Sequence, residues 1–158
     1  MVRPAGTGIA SLALCVAAAW AAPPEIRLTP AEMEALATHA AGTGTSGVAG
    51  IVTTVLAGDP SGPGPYTIRL SVPAHTRIAP HAHRDDRAAV VVSGTWYFGY
   101  GRTPTDGAKK TLPRGSFYSE PAGVAHFAET KDEPVVVYIT GNGPSDTVYV
   151  NPADDPRK

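Results

Sequence analysis

Short runs of β-branched and aromatic residues, separated by segments rich in glycine, proline and aspartate, occupy most of the chain after position 50. Runs of this length and composition are typical of β-strands, and the separating segments are typical of turns and loops. The predicted strands cover residues 51–57, 66–72, 87–92, 95–100, 116–120, 125–128, 135–140 and 147–150. Loops are predicted at 59–65 and 103–107. The pattern predicts an all-β fold.

Length and composition favour one compact domain. A chain of 158 residues can bury a substantial core, and no internal repeat divides it. Its 17 glycines and 16 prolines are frequent without being periodic, which fits many short strands joined by tight turns. The formal net charge of -1, with lysine and arginine scattered along the chain, argues against nucleic acid as a partner. We therefore expect one β-domain over residues 51–150.

Residues 1–21 have the features of a secretory signal peptide. Arg3 supplies the positive charge, residues 8–19 form an apolar stretch, and residues 19–21 form a small-x-small cleavage site. The apolar stretch is too short for a membrane-spanning helix. We predict cleavage after Ala21 and export to the periplasm or the medium, with no transmembrane segment left in the mature chain.

Cys15 is the only cysteine and lies inside this leader. Residues 12–15 resemble a bacterial lipoprotein cleavage site, where the cysteine would be lipidated, although Leu14 stands where a small residue is normal. The alternative is that Cys15 is one more apolar residue of the leader. A mature chain without the leader has no cysteine, which excludes disulfides, thiolate catalysis and cysteine-based zinc sites.

An N-terminal arm, residues 22–50, precedes the predicted β-domain. Residues 29–32, Thr-Pro-Ala-Glu, form a capping-box pattern with proline at the first helical position, and they predict a short helix over 30–39. Residues 40–50 are rich in glycine, threonine and serine and should end the helix. We expect the arm to pack across the β-domain or against a partner subunit, and the polar residues 151–158 to form a surface tail.

Three histidines form the pattern that most strongly indicates chemistry. His81 and His83 are two residues apart, so on a strand their imidazoles would point to the same face. His126 is distant in sequence but follows a Pro-Ala-Gly turn that should start a new strand. The other two histidines, His39 and His75, lie at the predicted helix end and in a loop, and neither is expected to be a ligand. The pattern predicts a divalent metal site at His81, His83 and His126.

These residues resemble the two sequence motifs of the cupin superfamily. The first motif is matched by His81-x-His83-x3-Arg87-x6-Gly94. The second is matched by Gly115-x5-Pro121-x-Gly123-x2-His126, with Thr130 where asparagine is usual. The resemblance covers roughly residues 51–150. It implies a double-stranded β-helix, the jelly-roll barrel, with a metal ion near the mouth of the barrel.

The resemblance leaves the reaction open. Cupins include dioxygenases, decarboxylases, isomerases, lyases and sensing or storage domains, and they suggest a homodimer formed through the barrel or the arm. Because one fold hosts many chemistries, function must be argued from the site. Iron, manganese, nickel, copper and zinc are all candidate metals.

Arg87 stands at the position where cupins usually have a carboxylate ligand. A guanidinium cannot bind a metal ion and stays protonated. Beside a divalent ion held by three neutral histidines, at about 5 Å and an effective dielectric of about 20, it would be repelled by roughly 6 to 7 kcal/mol. Some feature near Arg87 must offset this repulsion.

Three arrangements of Arg87 would remove the conflict. Its guanidinium could pair with Asp85, Asp86 or Glu120, could swing out of the barrel, or could bind the carboxylate or enolate of an anionic substrate. Glu120 could correspondingly be a fourth ligand, an acid or base, or the ion-pair partner of Arg87, and we favour the ion pair. Arg87 and Glu120 are therefore the candidate catalytic residues.

Four aromatic residues, Trp96, Tyr97, Phe98 and Tyr118, are expected to line or close the barrel. Arg87 and Tyr118 are the candidate contacts to a small anionic substrate. The side chains that face inward depend on strand parity across the turn at residues 93–94, which the sequence leaves open.

Three functions are compatible with the sequence. The first is a three-histidine, dioxygenase-like enzyme in which the metal holds a chelating anion. The second is a binding or sensing module that holds a small ligand through its metal without chemistry. The third is a degenerate cupin whose site holds no metal.

Overall fold

The computed structural model describes residues 24–40 and 42–158, so the predicted signal peptide and Cys15 lie outside the described residues. One short helix, α1 (Pro30–Glu34), precedes the strands. The described strands are β1 (Thr38–His39), β2 (Val52–Ala57), β3 (Gly64–Val72), β4 (Arg77–Ala82), β5 (Arg87–Ser93), β6 (Thr95–Tyr100), β7 (Lys109–Pro113), β8 (Phe117–Glu120), β9 (His126–Glu129), β10 (Val135–Gly143) and β11 (Val148–Tyr149). Two single-turn 3-10 helices cover Asp106–Ala108 and Pro152–Asp154.

The strands form two antiparallel sheets that enclose one core. One sheet has six strands in the order β1-β2-β3-β10-β5-β8, and the other has five in the order β11-β4-β9-β6-β7. Buried and less buried residues alternate along β3, and its inward side chains pack with Trp96 and Phe98 of the opposite sheet. The architecture confirms the predicted all-β class and places the inward face of both sheets around a common interior.

Every predicted strand is present, with ends within three residues of the prediction. The sequence did not predict β1, β4 and β7. Strand β4 was missed because it contains Pro80, and proline normally argues against a central strand. Here the carbonyl of Pro80 accepts a hydrogen bond from the Val150 amide at 2.9 Å, and the register with β9 shifts between Ile78 and His81. The irregularity therefore lies next to the first of the three histidines.

The predicted helix over residues 30–39 is correct at its start and wrong at its end. The capping box forms, because the Thr29 hydroxyl accepts from the Glu32 amide at 3.4 Å while the Glu32 carboxylate accepts from the Thr29 amide at 2.7 Å. The helix ends at Glu34, and Thr38 and His39 pair with β2 as an extra edge strand. Pairing with a sheet edge replaces the last helical turn, because a short helix is only marginally stable by itself. No helix in the described ranges is long and apolar enough to cross a membrane.

The C-terminal residues 151–158 are mostly exposed, as expected for a surface tail. They are nevertheless anchored, because Arg157 Nη2 donates to the Thr147 carbonyl at 2.9 Å and the Arg157 guanidinium lies 5.9 Å from the centroid of the Tyr149 ring. These contacts tie the tail to β11 and the residue before it.

Candidate metal centre

His81, His83 and His126 converge on the interior of the barrel, as the sequence predicted. His81 lies on β4, His83 follows that strand, and His126 begins β9, where it is the direct register partner of His81. All three side chains are buried, and one ligand atom from each lies within 4.8 Å of the other two. Neither His39 nor His75 belongs to this cluster.

Backbone carbonyls orient the three imidazole rings. His81 Nδ1 lies 2.8 Å from the Ala79 carbonyl, His126 Nδ1 lies 3.1 Å from the Val124 carbonyl, and His83 Nδ1 bonds the Asp146 carbonyl. Because a carbonyl only accepts, each Nδ1 carries the proton and each Nε2 keeps its lone pair. The Nε2 atoms of His83 and His126 are buried and have no hydrogen-bond partner. This donor set fits a divalent metal ion.

Burial keeps the three imidazoles in the neutral form that a metal ion requires. It lowers the pKa of His81 to about 3, with the neighbouring His126 adding to the effect. Burial, together with the positive charge of Arg87, lowers the pKa of His83 to about 2. Burial also lowers the pKa of His126. A proton therefore competes weakly for these nitrogens near neutral pH.

Arg87 is buried and pairs with Glu120. The two residues face each other in register on β5 and β8. Arg87 Nε donates to Glu120 Oε2 at 2.6 Å, Nη2 donates to the same oxygen, and Nη1 donates to the Gly44 carbonyl at 2.6 Å. Of the arrangements that the sequence left open, the structure has the ion pair with Glu120, and the guanidinium stays inside the barrel.

The two other acids considered as partners of Arg87 have different contacts. Asp86 accepts a hydrogen bond from the Ala122 amide at 2.8 Å, at the turn before β9. Asp85 is buried and accepts from the Tyr66 hydroxyl at 2.7 Å and from the Ser145 hydroxyl at 2.6 Å. Asp85 therefore contributes a negative charge to the interior without touching the guanidinium.

Glu120 lies between Arg87 and the histidines. Its Oε2 atom is 3.8 Å from His83 Nε2 and 3.8 Å from His126 Nε2. Burial is the largest single influence on the Glu120 carboxyl and acts to raise its pKa. The charge of Arg87, the two histidines and the hydrogen bond from Arg87 together outweigh burial, and the pKa falls to about 2. The carboxylate is therefore ionised at neutral pH and faces the unpartnered nitrogens.

Buried acids near the histidine cluster offset the positive charge of Arg87. One buried cation, Arg87, is accompanied by two buried acids, Glu120 and Asp85. Their combined formal charge equals that of a single carboxylate. A divalent ion among three neutral histidines would then experience the same overall charge as in a site with three histidines and one carboxylate, although the charges are placed differently.

Strand parity, which the sequence left open, is now resolved. Trp96, Phe98 and Tyr118 face the interior, and the Phe98 and Tyr118 ring centroids lie 4.4 Å apart. Tyr97 faces outward, with the Lys131 ammonium 4.2 Å from its ring centroid. Burial raises the pKa of Tyr118 well above its usual value, with the Glu120 charge adding to the effect, so its hydroxyl stays protonated.

Residues 42–48 of the arm, which we name the mouth segment, cover the interior. Besides the Gly44 carbonyl bonded to Arg87, the Thr45 carbonyl accepts from the Thr147 hydroxyl at 2.8 Å and the Ser46 carbonyl accepts from the Tyr149 hydroxyl at 2.6 Å. The remaining cavity is about 30 Å³ and is bordered by Gly44, Thr45, Ser46, Ile68, Leu70, Ile78, His81, Arg87, Trp96, Phe98, Tyr118, Glu120, His126, Ala128 and Ile139. Such a volume is close to that of one water molecule. The arm thus packs across the barrel, one of its two expected positions.

Comparison with known proteins identifies the fold of this chain and nothing more specific. No family model matches the sequence, and no curated protein sequence matches it. An RmlC-like cupin from Shewanella frigidimarina NCIMB 400 is similar in structure, with a TM-score of 0.55 and 18% identity over 76% of this chain and 92% of the other. The chain has the cupin fold. The polyketide cyclase RemF from Streptomyces resistomycificus is also similar, with a TM-score of 0.64 and 14% identity over 82% of this chain and 90% of the cyclase.

A third similar structure is that of the DMSP lyase DddQ from Ruegeria pomeroyi DSS-3. Its TM-score is 0.51, with 18% identity over 60% of this chain and 47% of the lyase. This chain therefore spans about half the length of the lyases it matches. At these identities the likeness defines the fold, and the chemistry must be argued from the residues of this chain.

The glycines and the threonine of the two motif-like stretches have defined structural roles. Gly94, Gly115 and Gly123 all have positive φ angles, and a Cβ atom at Gly94 would lie 2.3 Å from the Pro134 carbonyl oxygen. Thr130, which replaces the usual asparagine, accepts from the Thr76 amide at 2.9 Å and donates to the Pro73 carbonyl at 2.6 Å. The substitution thus leaves the turn before β4 tied to the strand that carries His126.

Proposed function

We propose that this chain is an exported, metal-dependent cupin enzyme that binds a divalent ion through His81, His83 and His126. The observation that carries the proposal is the pair of buried Nε2 atoms, on His83 and His126, that have no hydrogen-bond partner. Leaving such groups unpaired costs about 1 to 3 kcal/mol each. A bound metal ion would satisfy both nitrogens together with His81 and would repay that cost.

A small anionic substrate fits the charge of the proposed centre. Arg87, Glu120 and Asp85 together carry the formal charge of one carboxylate, which offsets only part of the charge of a divalent ion. An anionic ligand would therefore lower the electrostatic free energy of the loaded site. Apolar side chains from both sheets border the remaining wall. The combination favours a small molecule with one acidic end and an apolar body.

When bound, a divalent ion at three neutral imidazoles supplies a Lewis acid with open positions, and iron, manganese, nickel or copper adds redox chemistry of the dioxygenase type. The residues of this chain have complementary roles. Arg87 keeps Glu120 ionised, and an ionised carboxylate with so low a pKa is a weak general base near neutral pH. The Tyr118 hydroxyl stays protonated, so it can donate a hydrogen bond to substrate oxygen.

The mouth segment defines access to the site. Its three carbonyl contacts hold it over a cavity of only about 30 Å³, so we expect a substrate larger than water to enter when residues 42–48 move. Closure of this segment over a bound substrate would exclude water from the reacting atoms. The same closed arrangement also favours a second candidate function, a binding or sensing cupin whose ligand is the ion with a water or a very small anion.

Metal analysis of full-length protein, expressed with its own leader and without a polyhistidine tag, tests the proposal. We expect about one divalent ion per chain in the exported fraction, and an N-terminus at Ala22. The matched variants are His81→Ala, which should lose the ion, and His75→Ala, which should keep it. Occupancy well below one ion across all five candidate metals, in the protein as purified and after reconstitution, would refute the proposal.

A second measurement separates the two candidate functions. Oxygen consumption and product formation are followed with a panel of small carboxylic acids, β-diketones and thiols, using protein loaded with iron, manganese or nickel. Turnover that His81→Ala abolishes supports the enzyme. Saturable binding without turnover, measured by calorimetry on the same panel, supports the sensing cupin.

A further inference from the structure

We infer that Glu120 is the carboxylate ligand of this centre, supplied from β8 in place of the position on β5 that Arg87 occupies. The inference rests on the proposed metal-dependent function and assigns a fourth ligand to the same ion. It also gives Arg87 a definite part, because the arginine holds the carboxylate oxygen that faces the histidines.

Strand register makes the exchange possible. Arg87 and Glu120 are directly opposite each other on neighbouring antiparallel strands, and both side chains are buried. Directly opposite residues on one face have Cβ atoms about 4.5 to 5.5 Å apart. A carboxylate moved from one of these positions to the other therefore reaches much of the same interior volume. In this pair the guanidinium lies on β5 and the carboxylate lies on β8, where the acid is still within reach of the histidines.

The distances place Glu120 close to the spacing expected of a ligand that shares one ion with the histidines. Its Oε2 atom is 3.8 Å from the Nε2 atoms of both His83 and His126. With metal-to-ligand bonds of about 2.0 to 2.2 Å, two ligand atoms on the same ion lie about 3.0 to 3.5 Å apart. A displacement of Oε2 by less than about 1 Å would therefore bring it to that spacing.

No other carboxylate of the described residues lies within ion-pair distance of the Nε2 atoms of His83 and His126. Among the described residues, Glu120 is the only acid paired with His83 or His126, whereas both Asp85 oxygens accept hydrogen bonds from Tyr66 and Ser145. Arg87 donates to Oε2, the oxygen that also faces the histidines. A ligating carboxylate is normally held in this way by an outer hydrogen-bond donor.

Titration of the purified protein with Co²⁺ tests this assignment, because the visible spectrum of Co²⁺ reports its ligands independently of any activity. We expect Glu120→Gln and Glu120→Asp to weaken Co²⁺ binding by about 100-fold or more and to change the spectrum, since a lost ligand costs more than the 10- to 100-fold typical of an outer partner. Glu120→Asp keeps the charge but shortens the reach, so it separates ligation from simple attraction. Glu129→Gln, a matched change outside the barrel, should bind like the wild type.

The folding risk in this experiment is the buried Arg87 that Glu120→Gln leaves unpaired. The double variant Arg87→Gln/Glu120→Gln removes both charges and gives a second form in which the ligand is missing. Circular dichroism and thermal unfolding establish that each variant is folded before titration. If this double variant also lost the wild-type spectrum while retaining weak binding, the assignment would gain direct support.

Two failures are distinguishable. If the wild type does not bind Co²⁺, the proposed metal-dependent function fails, and the assignment of Glu120 fails with it. If the wild type binds Co²⁺ and both Glu120 variants bind with the same affinity and spectrum, the function stands and Glu120 is only the ion-pair partner of Arg87.

Discussion

Two concave regions of the molecule differ in size and in how their charges are satisfied. The larger is a groove of about 380 Å³ on the outside of the five-stranded sheet, which we name the outer groove. Four of its charged side chains pair with one another: Lys109 Nζ lies 2.8 Å from Asp106 and 2.6 Å from Glu129, and Arg77 lies 3.7 Å from Glu129. The smaller region is the interior cavity of about 30 Å³, where two imidazole nitrogens have no partner.

The comparison shows that volume alone is a poor guide to chemistry. In the outer groove, solvent and local ion pairs satisfy the polar groups, so a ligand would have to replace interactions that already exist. In the interior, the cavity has room for little water and the Nε2 atoms of His83 and His126 are unsatisfied, so a ligand of the right charge gains more than it displaces. The unsatisfied region is the candidate site despite its small volume.

The largest expected contrast concerns ion pairs. Arg87→Met leaves Glu120 buried without its partner, and we expect this variant to lose about 3 to 5 kcal/mol of unfolding free energy. Lys109→Met, its matched change in the outer groove, should change stability little, because water can replace the lost contacts there. Urea unfolding of the metal-free proteins measures both. Equal losses in the two variants would contradict the contrast drawn between the regions.

Acid should destabilise the interior before it affects the outer groove. The folded-state pKa values of His81, His83 and His126 lie below the unfolded value of about 6.5. The unfolded chain therefore binds more protons below that pH, and the free energy of unfolding should be highest above it and fall as the solution is acidified. In the groove, Asp106 has a lowered pKa and Lys109 a raised one, which places both outside this range.

Thermal unfolding of chelator-treated protein between about pH 7.5 and about pH 5 measures this dependence. His81→Gln should have a shallower dependence than the wild type, because one of the three protonation events is removed. A wild-type stability that stays constant over the range would show that the histidines are not held neutral.

The smallest expected effect concerns access to the interior. Gly44 has a φ of 75°, and a Cβ atom there would lie 2.7 Å from the Ser145 hydroxyl oxygen. Gly44→Ala should therefore push the mouth segment away and speed removal of bound metal by a chelator by roughly tenfold, a loosening of about 1.4 kcal/mol. Gly42→Ala is the matched control, because a Cβ atom at Gly42 meets nothing within 4 Å. Equal rates of metal removal from the two variants would show that the mouth segment does not control access to the interior.

Local patterns predicted most of the fold. The turn residues and β-branched runs located the strands, and the capping box at Thr29 and Glu32 located the start of α1. Pairing across the sheets explains what was missed. Strand β4 forms although it contains Pro80, because β9 and β11 provide partners on both sides. Residues 38–39 leave the predicted helix because the edge of β2 is available to them.

The sequence by itself identified the three histidines as candidate ligands, from the two-residue spacing of His81 and His83 and from the turn before His126. The register of β4 against β9 then brought His126 beside His81. The sequence also showed that the charge of Arg87 posed a conflict, which an acid, an anionic substrate or a position outside the barrel could remove. Only the tertiary structure decided which acid compensates, because the register of β5 against β8 sets Arg87 opposite Glu120. It alone also brought Gly44 over the interior. Both contacts join residues more than thirty positions apart, so their geometry depends on strand pairing and arm packing that no local pattern encodes.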